Sequence, residues 1–221
     1  METAARKAQI VDAAMRRFAE HGYRNTRVED IAREVGVAKG TVFLHFGSKE
    51  GLFLAVYEHA VGLLPRWLDA PADIVGRGFW SVLEYWLENA EDLMERNHAA
   101  NRVTLIGRYD SGLALHRPIA RFLRSEDPYG TLEFIEFGVD RGDLRSDVDV
   151  EMLASMLEWA GDRFQDALAS EEFDPGLVRR RQGAPDRRAE RIREFLEVLR
   201  NGIGGEADGS GRGRAVGPVA G

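Results

Sequence analysis

Apolar side chains recur three and four residues apart through most of this chain, and no stretch alternates apolar and polar positions as a half-buried strand would. The first such segment runs from Arg6 to Glu20: Ile10, Ala14 and Phe18 fall one turn apart with Val11 and Met15 beside them, and His21-Gly22 supplies a stop. A second, short helix follows, with Thr26 and Glu29 spaced as a capping box and Val28, Ile31, Ala32 and Val35 on one face up to Gly36. After Gly36-Val37-Ala38 a third helix covers Lys39 to Phe46, with Val42 and Phe46 facing inward, and Gly47-Ser48 ends it and caps the next. Leu52, Phe53, Val56, Tyr57 and Ala60 mark a fourth helix that Pro65 should kink or end. Further helices are expected near 73–96, 98–109, 112–124, 128–141, 148–170 and 186–201, separated by Pro71, Pro118, Pro128, Gly142 and the stretch Pro175 to Pro185. The expected fold is all-α, with a three-helix N-terminal domain over 1–47, a larger helical body over 48–201 and about nine helices in all. The glycine-rich stretch 202–221 has no apolar periodicity and is expected to be disordered or loosely attached.

Composition narrows the function. With 44% hydrophobic and 30% charged residues the chain reads as an ordinary globular protein. No apolar run approaches the roughly 20 residues that cross a bilayer, and Met1 to Ala14 lacks the apolar core of a signal peptide, so a cytoplasmic location without membrane contact is expected. The absence of cysteine removes disulfides, thiolate catalysis and cysteine zinc sites together. The net charge of −7 is unevenly spread: residues 1–50 hold nine Lys/Arg against seven Asp/Glu, a balance of +2, leaving −9 for the rest. That asymmetry agrees with a nucleic-acid-facing N-terminus.

The segment TRVEDIAREVGVAKGTVFLHFGSKEGLF, Thr26 to Phe53, places a short helix, a glycine turn and a second short helix at helix-turn-helix spacing. Ala32 lets the two helices approach, Gly36 permits the turn, and the second helix is short enough to lie in a major groove. Together with FAEHGY at the end of helix one, this segment strongly resembles the TetR (tetracycline repressor) family over about Ala8 to Val56. The resemblance implies a homodimer whose N-terminal domains bind a palindromic double-stranded DNA operator and whose C-terminal domains dimerise and bind a small effector, most often one that relieves repression. Carried onto this chain, it places Thr26 and Arg27 near phosphate at the start of helix two. It places Lys39, Gly40, Thr41, Phe43, Leu44 and His45 on or beside the recognition helix, and Lys49 at a phosphate. Lys39 and Thr41 are the expected base-edge contacts, with Gly40 allowing close backbone approach. Two positions depart from the family: Ala38 stands where a capping serine or threonine is common, and Phe43 where a tyrosine is.

For the body, Trp86, Asn101, Tyr109, Trp159 and Arg163 are the expected effector-pocket residues. The last two helices supply the expected dimer seam, through Met152, Met156, Ile192, Phe195 and Leu199. An effector there should shift helix four and change the spacing of the recognition helices. No cofactor or metal is implied. His21, His45, His59, His98 and His116 show no metal-ligand spacing, there is no GxSxG elbow, and Gly76-Arg77-Gly78 is too short for a dinucleotide loop, so an enzyme is not expected. A ligand-responsive activator, or an interaction module of the same fold that does not bind DNA, are the alternatives; Lys39, Thr41 and Lys49 speak against the module.

Overall fold

The structure is a computed structural model that describes residues 2–110, 113–179 and 187–205. The helices are α1 (Glu2–Asn25), α2 (Val28–Val35), α3 (Lys39–Phe46), α4 (Lys49–Val61), α5 (Ala72–Arg77), α6 (Phe79–Glu88), α7 (Ala90–Arg96), α8 (His98–Tyr109), α9 (His116–Glu126), α10 (Thr131–Asp140), α11 (Val150–Leu157), α12 (Arg163–Ala169) and α13 (Arg188–Ile203). A π-helical turn, Glu158–Asp162, joins α11 to α12 without a break. Among the described residues there is no β-strand, and no helix is long and apolar enough to cross a membrane. Gly22, at φ 75°, interrupts α1 where the apolar pattern stops. Ser48 caps α4 by accepting from the Gly51 amide, and α4 ends before Pro65.

Three expectations about the body change. The span 73–96 is three helices, because Gly78 (φ 107°) and Asn89 break it. The helix expected from 112 begins at His116. The C-terminal stretch does not come loose at 202: Gly202 and Ile203 complete α13, Ile203 is buried, and its carbonyl accepts from the Arg145 amide at 3.0 Å. The Gly205 amide donates to the Asp143 carbonyl at 2.9 Å, closing a short antiparallel bridge between Leu144 and Gly204. Residues 206–221 lie outside the described residues.

Two apolar cores form, and their boundary does not follow the chain at residue 47. The first unites Ile10, Phe18, Ile31, Val42, Phe53 and Tyr57 of the N-terminal helices with Ala100 and Val103 of α8 and Ile119 of α9. The second gathers α6, α10, α11, α12 and α13 around Phe79, Phe134, Leu157 and Ile192. α8 packs on both α1 and α4, the helices that flank the helix-turn-helix in the chain.

Candidate DNA interface and effector cavity

The α2–α3 turn is fixed by backbone chemistry. Gly36 takes the left-handed conformation (φ 74°, ψ 34°), its amide donating to the Arg33 carbonyl at 3.2 Å while the Val37 amide donates to that of Ala32 at 2.9 Å. That double bond is a Schellman stop, and a Cβ at Gly36 would strain it. Buried Ala32 lies beneath, and Val37 packs on the core. The angle between α1 and α2 is held by Glu34, which accepts from Arg16 at 2.9 Å and Arg17 at 2.8 Å. The Arg17 bond above all keeps its carboxyl below the usual range.

Thr26 does not form the expected capping box. The residue preceding α2 is Arg27, which makes no side-chain cap. Thr26 is instead buried, its hydroxyl placed against the Arg17 and Gly22 carbonyls at 3.0 and 2.8 Å. The break in α1 at Gly22 leaves carbonyls that need a donor, and Thr26 supplies it. Arg27 is exposed beside it.

The outer face of α3 is open. Leu44 is 83% exposed, the largest value among the exposed large apolar side chains of the described residues. Lys39 and Gly40 are exposed, and Thr41, Phe43 and His45 half-buried, while Val42 faces the core. Ala38 precedes α3 without a side-chain cap, and among the first amides of α3 that of Thr41 donates to the Ala38 carbonyl at 2.9 Å. Lys39 is held by Glu29 of α2 at 2.5 Å and lies over the Phe43 ring at 5.3 Å. Both partners are half exposed, so water screens the pair. Lys49 is more withdrawn: its Nζ donates to the Arg24 carbonyl at 3.3 Å and sits 4.5 Å from the Tyr23 ring centre, with burial lowering its pKa.

Behind these helices lies a cavity of about 300 Å³. Trp86 and Asn101 line it as expected. Asn101 turns its amide to the carbonyls of Leu93 and Asn97, at 3.1 and 3.3 Å. Tyr109, Trp159 and Arg163 do not line it. Tyr109 donates to Asp166 at 2.6 Å and packs on Phe173; Arg163 stacks over Tyr109 at 5.2 Å; Trp159, next to the cavity residue Glu158, is 71% exposed. The cavity's charged wall went unforeseen: Glu158, Asp162 and Asp166 stand four residues apart on one helix face, opposite Arg108 of α8. Arg108 donates to Asp162 at 2.9 Å and Asp166 at 2.8 Å. The row of carboxylates at i, i+4 and i+8 was the available signal. Tyr57 of α4 forms part of the wall next to Gly107 of α8, and burial pushes its phenol up to about 12.

The expected dimer residues divide. Met152 and Met156 are exposed, at 50% and 39%. Ile192 is core at 2%, Phe195 stacks on Phe164 at 4.2 Å, and Leu199 is half-buried. Trp159 is exposed on the same helical stretch as Met152 and Met156, and Val198 is exposed on α13. A buried face on a helix packs its own subunit, and a sequence pattern alone does not separate that from a face reserved for a partner.

Comparison with known proteins agrees with this architecture. The profile for bacterial regulatory proteins, tetR family, matches residues 10–56. The HTH-type transcriptional repressor Rv1474c of Mycobacterium tuberculosis is 43% identical over 62% of this chain and 95% of its own. The HTH-type transcriptional repressor AcnR of Corynebacterium glutamicum is 29% identical over 77% and 86%. The solved transcriptional regulator FadR from Bacillus subtilis, in complex with stearoyl-CoA, superposes with a TM-score of 0.60 at 24% identity, over 89% of this chain and 98% of that one. The chain belongs to the tetR family of bacterial regulatory proteins, a family of DNA-binding regulators rather than enzymes.

Proposed function

We propose that this protein is a homodimeric transcriptional repressor that holds a palindromic operator through α3 and releases it when a small effector enters the cavity. The open, uncapped outer face of α3 carries this reading: an exposed leucine flanked by Lys39, Thr41 and His45 on a rigid core is what major-groove readout requires. Leu44 meets a thymine methyl, Lys39 leaves Glu29 for phosphate or a base edge, and Arg27 and Lys49 anchor the flanking backbone. Gly40 keeps the approach open, Phe43 and His45 brace it, and Thr26 acts from inside by fixing α2. The two relatives above are named as repressors, and the FadR structure holds an acyl-CoA, which supports a ligand-controlled repressor here.

Coupling runs through Tyr57. It lines the cavity, belongs to α4, and lies against Gly107 of α8. An effector that displaces Tyr57 moves α4, whose N-terminus adjoins α3, and takes the two recognition helices away from the roughly 34–36 Å spacing of successive major grooves. The exposed Met152, Met156 and Trp159 of the α11 stretch join the subunits. Footprinting of the DNA upstream of the protein's own coding region, combined with sedimentation, tests this reading. Two protected half-sites one helical turn or a multiple apart, on a dimer, are expected. A monomer, or no protection at any candidate region, would overturn it.

A further inference from the structure

We propose that the cavity takes a small organic cation, a primary amine or quaternary ammonium whose charged centre sits between Glu158 and the aromatic walls. The inference rests on the reading of the cavity as the effector site. Three carboxylates line it, from Glu158, Asp162 and Asp166, and Arg108 is shared by two of them. Arg66, also in the wall, is already paired with Glu133 at 2.8 Å. Among the described residues no salt bridge reaches Glu158, which has a Thr131 hydrogen bond and only the longer-range influence of Arg108, so the wall's negative charge is only partly compensated. Burial and the neighbouring Asp162 hold the Glu158 carboxyl above its usual range, and burial does the same for Asp162; an entering cation relieves both. Asp162 nonetheless keeps 37% of its side-chain surface open, and it is a wall residue of the cavity.

The remaining wall suits the same guest. Trp67, Trp86, Tyr57 and Tyr129 contribute aromatic surface. The two indoles are fixed: Trp86 donates to the Trp67 carbonyl at 2.8 Å, and Trp67 stacks on Phe134 at 5.0 Å. Rigid aromatic surface beside a carboxylate is the arrangement that attracts ammonium groups. At about 300 Å³ the space is at the small end for ligand cavities. An acyl-CoA would bring several phosphate charges towards a wall that already has too many negative ones.

Calorimetric titration of the full-length protein with matched probes decides the matter: 3-phenylpropyl-trimethylammonium, its neutral carbon isostere, 4-phenylbutyrate and stearoyl-CoA. The cation is expected to bind on the order of tenfold tighter than the isostere, with both anions weakest. Glu158→Gln should bring the cation down to the isostere's affinity and leave the isostere unchanged. If that variant melts early, Trp86→Leu is used in its place, and should weaken the cation more than the isostere. Tighter binding of either anion, or a cation preference that survives these variants, overturns the inference while leaving an effector cavity in place. Failure of every probe to bind overturns both.

Discussion

Gly107→Ala puts the proposed coupling path under direct stress. A Cβ at Gly107 would fall 2.5 Å from Cε2 and 2.7 Å from Cδ2 of Tyr57, and 3.2 Å from Cδ1 of Ile119. Carbon atoms in contact rest about 3.5–4.0 Å apart, so the ring or the helix must move by about 1 Å. The ring is out of solvent, 2% exposed and edge-on to Phe122 at 6.4 Å, and it borders the cavity. Overpacking of this kind costs about 1–3 kcal/mol, and a clash with two ring atoms at once, 2.5 and 2.7 Å away, places this case near the upper end. Alanine returns about 1 kcal/mol in a helix interior, leaving a net loss of about 2 kcal/mol. In a chain of this size that lowers Tm by about 4–8 °C, measurable by calorimetry. In a Tyr57→Leu background, where the struck ring atoms are gone, the same substitution should cost at least about 1 kcal/mol less. Binding to upstream DNA, measured well below Tm, should also fall, because the displaced ring belongs to α4. A Gly107→Ala protein with unchanged or raised Tm and undiminished DNA affinity would refute both the packing and the coupling argument.

Other expectations are simpler. Leu44→Ala should leave stability within about 0.5 kcal/mol, since the side chain is in solvent, yet weaken operator binding by about 1 kcal/mol in a mobility-shift assay. Thr26→Val keeps the shape but strands two carbonyl partners, and should cost about 1–3 kcal/mol in urea denaturation. A loss confined to DNA affinity would return Thr26 to the DNA surface. Trp159→Glu places a charge in the proposed dimer patch and should yield monomers in sedimentation; an intact dimer would move the interface elsewhere. The phenols of Tyr23 and Tyr57, raised by burial to about 12, keep their protons in the folded state after the unfolded chain has lost them. Stability should therefore fall as pH rises from about 10 towards 12, read by denaturation alongside ultraviolet titration. A flat profile over that window would show the phenols to be solvated.

The N-terminal half was largely legible because its determinants are local. Ile10, Phe18, Ile31 and Val42 follow helical spacing into one core, and Gly36 is where the turn demands a left-handed residue. Thr26 was misread because its spacing to Glu29 satisfies a local rule, whereas the carbonyls exposed by the break at Gly22 present a stronger demand from outside that rule. The body was harder. Ile192 and Met156 both lie on apolar faces, and only the packed structure separates the core residue from the exposed one. Among polar candidates, Arg163 and Tyr109 draw attention as single residues, but they satisfy each other and Asp166 outside the cavity. Arg108 and the Glu158–Asp162–Asp166 row acquire meaning through a contact between α8 and α12 that is 58 residues apart in sequence. The π turn that carries Glu158 and Asp162 has no sequence signature that separates it from an ordinary helix.

The central claim, that α3 reads DNA, is tested most directly by fluorescence anisotropy of a labelled upstream duplex titrated with salt, for the wild type beside a Lys39→Ala, Thr41→Ala double variant. The account predicts tight wild-type binding that weakens steeply and log-linearly with salt, and a double variant that keeps its fold and loses its preference over random duplex. Equal affinity of the two proteins, or a wild type with no preference over random duplex at any candidate region, would contradict it.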